Sequence, residues 1–308
     1  MLRTVLELSR VSNLPTVWTN VLAAWIIASG ADWQWTPALG WLLLGASLIY
    51  SAGMILNDAC DAAWDREHRP ERPIPSGRIG LKTVWFISLA GLAIGYALMV
   101  FAGGASWKIT ALLVIAVVAY DVYHKPWAGS VVIMGACRTL LYLSVINPAF
   151  TDRAARERDF FDGPSFFSMF AVTLAGALLG VYIVALTLLA RAEAKSNVPV
   201  EERLTLIALL FCPIGFHVFS RVIGHKTIEP IEALVWTFLS CFYLAWTVRA
   251  IKVMAKGGPA IGQAVGMLLA GIPLVDAAAV ARTSWPAALC FCALPPFLRL
   301  WQRWIAAT

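Results

Sequence analysis

Long apolar runs alternate with short polar segments along almost the whole chain. Ten runs approach the roughly 20 apolar residues that a helix needs to cross a bilayer, near 15–30, 38–56, 84–103, 108–123, 130–149, 165–189, 204–222, 231–250, 262–282 and 287–304. The fourth and the last are short, so the pattern predicts ten spans, or nine with one re-entrant or tilted segment. We therefore expect an all-α fold, a polytopic transmembrane helical bundle in which residues 1–308 form a single domain.

The composition supports a membrane protein and excludes two other classes. Hydrophobic residues make up 60% of the 308 residues, charged residues only 14%, and the mean hydropathy is +0.74. A soluble domain carries roughly 25% charged residues, which excludes a soluble globular enzyme. The apolar content is too high for a disordered chain. The six cysteines form no CxxC pair and no zinc-binding spacing.

The distribution of Lys and Arg predicts how the helices are oriented. If the N-terminus lies inside and the spans alternate, sixteen basic residues fall in inside segments and seven in outside segments. Basic residues favour the cytoplasmic side of short loops, so we expect the N-terminus inside. The net charge of +6 is then a topology signal, and such scattered basic residues predict no nucleic-acid partner. Glu7 and Arg10 precede the first apolar run, so a cleavable signal peptide is not expected.

Four oxygen-bearing side chains follow the second apolar run, namely Asn57, Asp58, Asp61 and Asp65. At 100° per residue they share one stripe, about 100° wide, on a continuous helix. Three carboxylates on one face repel each other unless a cation lies between them, and hard oxygen ligands suit Mg²⁺, which also binds substrate phosphates. The alternative is a solvated acidic helix end. The stripe begins directly at the end of a span, which favours the metal site.

A basic, proline-rich segment follows at once over residues 66–78, R-E-H-R-P-E-R-P-I-P-S-G-R. Its prolines restrict the backbone and hold the arginines in place. Arginine makes forked contacts with phosphate oxygens, so the segment is suited to clamp a metal-bound diphosphate. The alternative is that these arginines serve only the orientation of the protein in the membrane.

These motifs resemble the UbiA superfamily of intramembrane prenyltransferases. The string N-D-x-x-D-x-x-x-D followed by R-P-x-P-S-G-R is similar to the first signature of that family. The opening R-V-S-N-L-P-T-V-W-T-N resembles its first helix, and Y-D-V-Y-H-K at 120–125 resembles its Tyr/Lys segment. The resemblance implies a nine-helix UbiA-like bundle that binds an isoprenoid diphosphate through Mg²⁺. It further implies ionisation of the allylic C–O bond and capture of the cation by an aromatic or other nucleophilic acceptor.

The resemblance also implies individual roles. The metal ligands would be Asn57, Asp58, Asp61 and Asp65, and the catalytic residues Asp61, Asp65 and Lys125. Substrate contacts would come from Asn20, Arg72, Arg78 and Tyr120, with Lys125 approaching the same diphosphate. Two charged residues inside spans, Arg138 and Asp276, are candidates because a charge within the bilayer is costly. The alternative for Arg138 is a structural pair with Asp121.

The second acidic motif of the family is degenerate in this chain. The segment 187–195 reads T-L-L-A-R-A-E-A-K, with Ala190 and Ala194 where the family carries aspartates. Only Glu193 remains as a metal ligand, and Arg191 is a candidate substrate-binding cation. Together with Y-D-V-Y-H-K and C-R-T-L, this segment resembles the EboC-like branch, which implies a bacterial cytoplasmic membrane.

We therefore expect a membrane prenyltransferase whose site opens at the cytoplasmic side, between the motif loops 57–83 and 190–203. Two alternatives stay open at this point. Polar residues within spans also occur in transporters, although here the carboxylates and arginines cluster at one membrane face. The degenerate second motif is compatible with a catalytically silent relative that binds an isoprenoid lipid. The acceptor and the length of the donor chain do not follow from the motifs.

Overall fold

The computed structural model describes residues 2–123, 127, 129–156, 166–193, 199–223 and 229–304. These residues form an all-α fold without β-strands, as predicted. In chain order the helices are α1 (Leu2–Leu8), α2 (Leu14–Ser29), α3 (Pro37–Cys60), α4 (Ala62–His68), α5 (Leu81–Ala97), α6 (Trp107–Tyr123), α7 (Ser130–Arg156), α8 (Phe166–Glu193), α9 (Val200–Ile223), α10 (Pro230–Met254), α11 (Pro259–Ala270), α12 (Ile272–Val280) and α13 (Trp285–Trp301).

Within these described ranges, eight helical segments are long and apolar enough to cross a membrane. They are Val11–Ser29, Pro37–Cys60, Leu81–Ala102, Ser130–Asp152, Ser168–Ala192, Glu201–Phe219, Pro230–Met254 and Pro259–Val280. The two apolar runs predicted to be short form α6 and α13, each of 17 residues. The polytopic helical bundle predicted from the apolar pattern is confirmed.

The first span and the last of these eight lie deepest in the bundle. Of the Val11–Ser29 and Pro259–Val280 segments, 78% is buried, whereas the Glu201–Phe219 span is only 22% buried. The helix α2 packs against α3, α7, α8 and α12. Its side chains are therefore surrounded by protein rather than lipid, and any polar group on α2 needs a protein partner.

Helix ends follow local sequence signals. Thr36 caps α3 by accepting a hydrogen bond from the Leu39 N–H over 3.3 Å, and Pro37 occupies the first turn, where no N–H is needed. The α2 helix ends at Gly30, whose φ of 86° favours glycine. The span Pro259–Val280 is interrupted at Gly271, between α11 and α12.

We predicted one continuous helix through the acidic stripe, but the structure interrupts this helix. The α3 helix ends at Cys60, Asp61 lies between the two helices, and α4 begins at Ala62. The Asp61 N–H still donates to the Asn57 carbonyl, and the Asp65 N–H donates to the Asp61 carbonyl, so the chain keeps its helical course. Much of the predicted loop 57–83 is therefore helical, and α8 extends to Glu193 in the second predicted loop, 190–203.

Candidate functional site

Arg72 joins two carboxylates at the end of α3 and in α4. Its Nη1 atom lies 2.9 Å from Asp65 Oδ2 and 3.4 Å from Asp58 Oδ1. The Asp65 side chain is only 2% exposed and that of Asp58 11%, while that of Arg72 is 20% exposed. One guanidinium thus pairs with two buried carboxylates that helix geometry places on one face.

The proline-rich segment that carries Arg72 is held by a small apolar cluster of its own. Ile74 and Ile79 are buried against Leu8 of α1 and Val84 of α5. Backbone hydrogen bonds from Ser76 to the Arg72 carbonyl and from Gly77 to the Ile74 carbonyl fold the segment into successive turns. Burial of these side chains keeps Arg72 over the carboxylates, which supports the rigidity predicted from the prolines.

Side chains fill the space over the carboxylates in this structure. The pocket bounded by Asp58, Asp65 and the residues that cover them has no volume large enough for a water molecule. The covering residues are Leu8, Arg72, Pro73, Ile74 and Pro75. In this arrangement Arg72 and the proline-rich segment cover the carboxylates on this side.

Arg10 also contacts one of the carboxylates, and the sequence did not predict this contact. It lies between α1 and the short helical turn Val11–Asn13 with a φ of 45°, the only positive φ of a non-glycine residue in the described chain. This turn directs Nη2 to within 3.6 Å of Asp58 Oδ1, opposite Arg72. The position of Arg10 in the opening motif was the available signal, but its partner depends on how α1 folds back on α3.

A second group of polar residues lies where α3 meets α6. The Asn57 Nδ2 atom donates to Asp121 Oδ1 over 3.2 Å, and both residues are buried. Tyr120, next to Asp121, lies close enough to Arg191 and Arg10 for both cations to act electrostatically on its hydroxyl. Asn57 thus contacts the neighbour of Tyr120 in the sequence, and Tyr120 lies within electrostatic range of Arg191.

The acidic residues do not form a complete metal site by themselves. Among the described residues, no three His, Cys, Asp or Glu side chains are grouped so that they could hold a metal ion. Asp65 Oδ1, however, is buried without a hydrogen-bond partner in the described part of the chain. Mg²⁺ commonly uses one or two carboxylates and completes its shell with water and substrate phosphates. The orphaned Asp65 oxygen and the neighbouring Asp58 carboxylate are compatible with such an ion, and the assignment of Asn57, Asp58, Asp61 and Asp65 as its ligands stays a prediction.

Other predicted site residues lie elsewhere or outside the described residues. Arg78 is half exposed and contacts Glu7 of α1, with Nη1 3.0 Å from Glu7 Oε2, so it is not brought to the carboxylates. Lys125 lies outside the described residues. Glu193 is the last residue of α8, and its side chain lies outside the described part.

A buried polar network lies deeper in the bundle and contains both charged residues predicted within spans. Arg138 Nη1 donates to Asn20 Oδ1 over 2.6 Å, and Asn20 Nδ2 donates to Asp276 Oδ2 over 2.7 Å. Asp276 also accepts a hydrogen bond from the Tyr142 hydroxyl. The alternative pairing of Arg138 with Asp121 is not found, since Arg138 contacts Thr16, Asn20 and the Tyr50 ring. Asn20 therefore links the guanidinium to a carboxylate.

The fold and the motifs can be compared with known proteins. The UbiA prenyltransferase family matches residues 16–151, which contain Asn20, the acidic stripe, the proline-rich segment and Arg138. Over these residues the chain is similar to the UbiA prenyltransferases. The resemblance predicted from the motifs is thus confirmed for this part of the chain.

Solved UbiA-type structures show the same fold over nearly the whole chain. A structure described in work on digeranylgeranylglyceryl phosphate synthase in membranes covers 96% of this chain and 98% of its own, with a TM-score of 0.59 and 15% identity. The apo structure of a UbiA homolog from Aeropyrum pernix K1 covers 89% of this chain and 97% of its own, with a TM-score of 0.55 and 14% identity.

Curated relatives match parts of the chain. A digeranylgeranylglyceryl phosphate synthase from Sulfolobus acidocaldarius is 37% identical over 29% of this chain and 32% of its own length. One from Ignicoccus hospitalis is 29% identical over 50% and 51%. A 2-acylphloroglucinol 4-prenyltransferase from Humulus lupulus is 27% identical over 42% and 31%. The chain thus spans about a third to a half of the length of these UbiA relatives. They are archaeal and plant proteins and add no support for a bacterial source.

Proposed function

We propose that this protein is an intramembrane prenyltransferase that transfers an isoprenoid group from an isoprenyl diphosphate to a nucleophilic acceptor. The observation that carries the proposal is the buried arrangement of Arg72, Arg10 and the two carboxylates Asp58 and Asp65. It lies at one end of a UbiA-type bundle, near Tyr120 and Arg191. Paired carboxylates next to clustered guanidinium groups are suited to a metal-bound diphosphate.

In this proposal, residues of the chain bind the leaving group and keep water away from the reacting carbon. A bound Mg²⁺ supplies charge neutralisation on the diphosphate, which stabilises the leaving group as the allylic C–O bond breaks. The Arg72 guanidinium, drawn from Asp58 and Asp65 towards the phosphate oxygens, provides a forked clamp. Arg10 and Arg191 add positive charge from two other directions. The apolar interior of the bundle limits the access of water that would quench a carbocation.

The donor tail has an apolar surface available near this end of the bundle. A groove of about 510 Å³ runs along α7 and α8 and is lined almost entirely by small and branched apolar residues. Val132 lies at the end of the groove nearest the start of α7 and is 60% exposed. We propose that the tail lies along the spans in this groove and enters from the lipid side.

The names of the relatives point to different acceptors. One group makes digeranylgeranylglyceryl phosphate and the hop enzyme prenylates 2-acylphloroglucinol. For this chain we propose only the class, an electron-rich aromatic ring or another nucleophile. The EboC-like assignment, the cytoplasmic opening of the site and the bacterial membrane also remain predictions.

The first experiment is binding of geranylgeranyl diphosphate to the purified protein, with and without Mg²⁺. Asp61→Asn removes one predicted metal ligand while keeping the shape of the side chain, and Asp32→Asn, an exposed acid in the turn after α2, is the matched control. We expect Mg²⁺-dependent binding in the wild type and the control, weakened about tenfold or more in Asp61→Asn. Absence of binding in folded wild-type protein would overturn the proposal.

A catalytically silent isoprenoid-binding protein is the second candidate. The observation that favours it is the pair Ala190 and Ala194, where the family carries carboxylates. Release of diphosphate from the bound donor distinguishes the two candidates. A prenyltransferase releases diphosphate when a suitable acceptor is added, and releases it slowly without an acceptor, when water captures the prenyl group instead. A silent relative binds the donor with Mg²⁺ and leaves it intact with and without an acceptor.

A further inference from the structure

A second concave surface lies on the same side of the bundle as the carboxylates. The ends of α10, α11 and α13 enclose a groove of about 380 Å³, lined by Trp246, Arg249, Met267, Pro296, Arg299, Leu300 and Arg303. Gln302 lies beside it and donates from Nε2 to Asn13 Oδ1, 3.4 Å away at the start of α2. This contact places the groove near the Arg10 turn, but none of its arginines contacts the carboxylates there.

Three arginines line this groove, and in the described part of the chain none of them forms an ion pair with an acidic residue. Arg299 Nη1 donates to Gln302 Oε1 over 2.6 Å, and Arg303 lies close enough to Arg299 for the two positive charges to repel each other. Among the ion pairs of the described residues, none involves Arg249, Arg299 or Arg303. An anion between these guanidinium groups would relieve the repulsion.

A glycine provides the space in which the Arg299 guanidinium lies. A Cβ atom added at Gly266 of α11 would lie 2.6 Å from Arg299 Nη1 and 3.1 Å from Gln302 Oε1. The charged end of Arg299 therefore rests directly against the α11 backbone, next to Trp246. Basic residues that only orient a protein in the membrane do not need a fixed position against a neighbouring helix. The close contact of Arg299 with the α11 backbone therefore indicates a binding site.

The surroundings of the groove point to a lipid as the source of the anion. Large apolar side chains on and just after α13 are exposed: Phe297 by 66%, Trp301 by 37% and Trp304 by 85%. Tryptophans at the end of a spanning helix lie at the level of the lipid headgroups. The groove also has apolar walls in Pro296 and Leu300, which an acyl chain can contact.

We propose that this groove binds the phosphate of an anionic phospholipid, with Arg299 and Arg303 contacting the phosphate oxygens and Arg249 at the rim. The lipid acyl chains lie along Leu300 and Pro296, and the headgroup lies at the level of Trp301 and Trp304. The bound lipid is separate from the prenyl donor, since the two arginine clusters are on different helices.

The test is binding of phosphatidylglycerol to the full-length purified protein, compared with phosphatidylcholine, by native mass spectrometry in a neutral detergent. Loss of one arginine near a lipid phosphate lowers affinity about fivefold, which corresponds to about 1 kcal/mol. We expect this loss in Arg299→Gln. Lys256→Gln removes the same charge from the exposed turn before α11, outside the groove, and is expected to leave binding unchanged. Thermal unfolding confirms that each variant is folded.

Gly266→Ala is a second variant that changes no charge. The added methyl group displaces the Arg299 guanidinium, and we expect a loss of phosphatidylglycerol binding comparable to that in Arg299→Gln. An equal loss in Lys256→Gln would overturn the proposal in favour of a general basic surface. Equal binding of phosphatidylcholine, which carries the same phosphodiester but no net charge, would overturn the assignment to an anionic phospholipid. Displacement of the lipid by excess inorganic phosphate would assign the groove to a free anion instead.

Discussion

At the scale of single residues, Arg72 determines whether two buried carboxylates are tolerated. Removing one partner of a buried ion pair leaves an uncompensated charge and costs about 3–5 kcal/mol. Arg72 is partly exposed, and Arg10 still contacts Asp58, so we expect Arg72→Gln to lower the free energy of unfolding by roughly 2–3 kcal/mol. Denaturant unfolding of the purified protein measures this loss.

The matched control for this prediction is Arg69→Gln. Arg69 is exposed and lies 5.9 Å from the centre of the Trp64 ring, so its loss should change stability by less than about 0.5 kcal/mol. Adding Asp65→Asn to Arg72→Gln removes the uncompensated carboxylate and should restore part of the stability. If the double variant is less stable than Arg72→Gln alone, the ion pair is not the cause of the loss.

The network around Asn20 predicts that Arg138 and Asp276 are energetically coupled although an amide separates them. Asp276 is buried and Arg138 is partly buried, and each is hydrogen-bonded to Asn20. Residues within one buried network commonly show coupling energies of about 0.5–3 kcal/mol. A double-mutant cycle with Arg138→Gln and Asp276→Asn should give a coupling of at least about 1 kcal/mol in the free energy of unfolding.

The control cycle pairs Arg138→Gln with Asp32→Asn, at an exposed position in the turn between α2 and α3. Distant substitutions are additive within about 0.5 kcal/mol. Additivity of Arg138→Gln and Asp276→Asn would mean that Asn20 does not transmit the interaction, and that each charge is stabilised by its other neighbours.

At the scale of helices, the position of the acidic stripe depends on how closely α3 packs against α5. A Cβ atom at Gly45 would lie 2.8 Å from the Gly95 carbonyl oxygen and 3.1 Å from the Met99 backbone nitrogen. Backbone atoms cannot yield as a side chain does, so Gly45→Ala should separate the helices and cost about 1–3 kcal/mol. The loss is measured as a lower unfolding temperature in detergent.

Gly40 lies on the same helix and provides the comparison. A Cβ atom there has no other atom within 4 Å, so Gly40→Ala should be neutral or stabilise the protein by up to about 1 kcal/mol through helix propensity alone. If Gly40→Ala loses as much stability as Gly45→Ala, the cause of both losses is not the α3–α5 contact.

The same helices show where reasoning from the sequence succeeds. Eight of the long apolar runs coincide with the eight segments that can cross a membrane, because hydrophobic length is a local property. The two short runs form the helices α6 and α13. The motif spacing also predicted that carboxylates and arginine meet at the end of α3. The interruption at Asp61 was missed, since nothing in the local sequence requires α3 to end there.

Pairings between distant segments could not be predicted. Asn57 contacts Asp121, Asn20 contacts Asp276, and Arg78 contacts Glu7, and each pair depends on how separate helices pack. The sequence identified most of these residues as unusual because they are polar in an apolar chain. The sequence did not show which of these residues contact each other, because the partners lie far apart along the chain. Asn20 and Asp276, for example, are 256 positions apart.

At the scale of the whole molecule, the carboxylate site and the arginine groove lie on the same side of the bundle, whereas the turn between α2 and α3 lies on the other. The excess of basic residues in alternate segments predicts that the site faces the cytoplasm. Ala31, in the turn after α2, and Ser76, in the proline-rich segment, are both exposed and lie on opposite sides of the bundle. Each can be replaced by cysteine to test the orientation.

A membrane-impermeant maleimide added to intact cells should label Ala31→Cys and should label Ser76→Cys only after the membrane is permeabilised. Five of the six native cysteines lie inside helices α7, α9, α10 and α13, where a charged reagent in water reacts poorly. Cys60 is the last residue of α3, on the same side as Ser76, and wild-type protein measures its background labelling. The reverse labelling pattern would place the diphosphate site on the outer face. An isoprenoid diphosphate made in the cytoplasm could not then reach Arg72, and the proposed donor would have to be replaced.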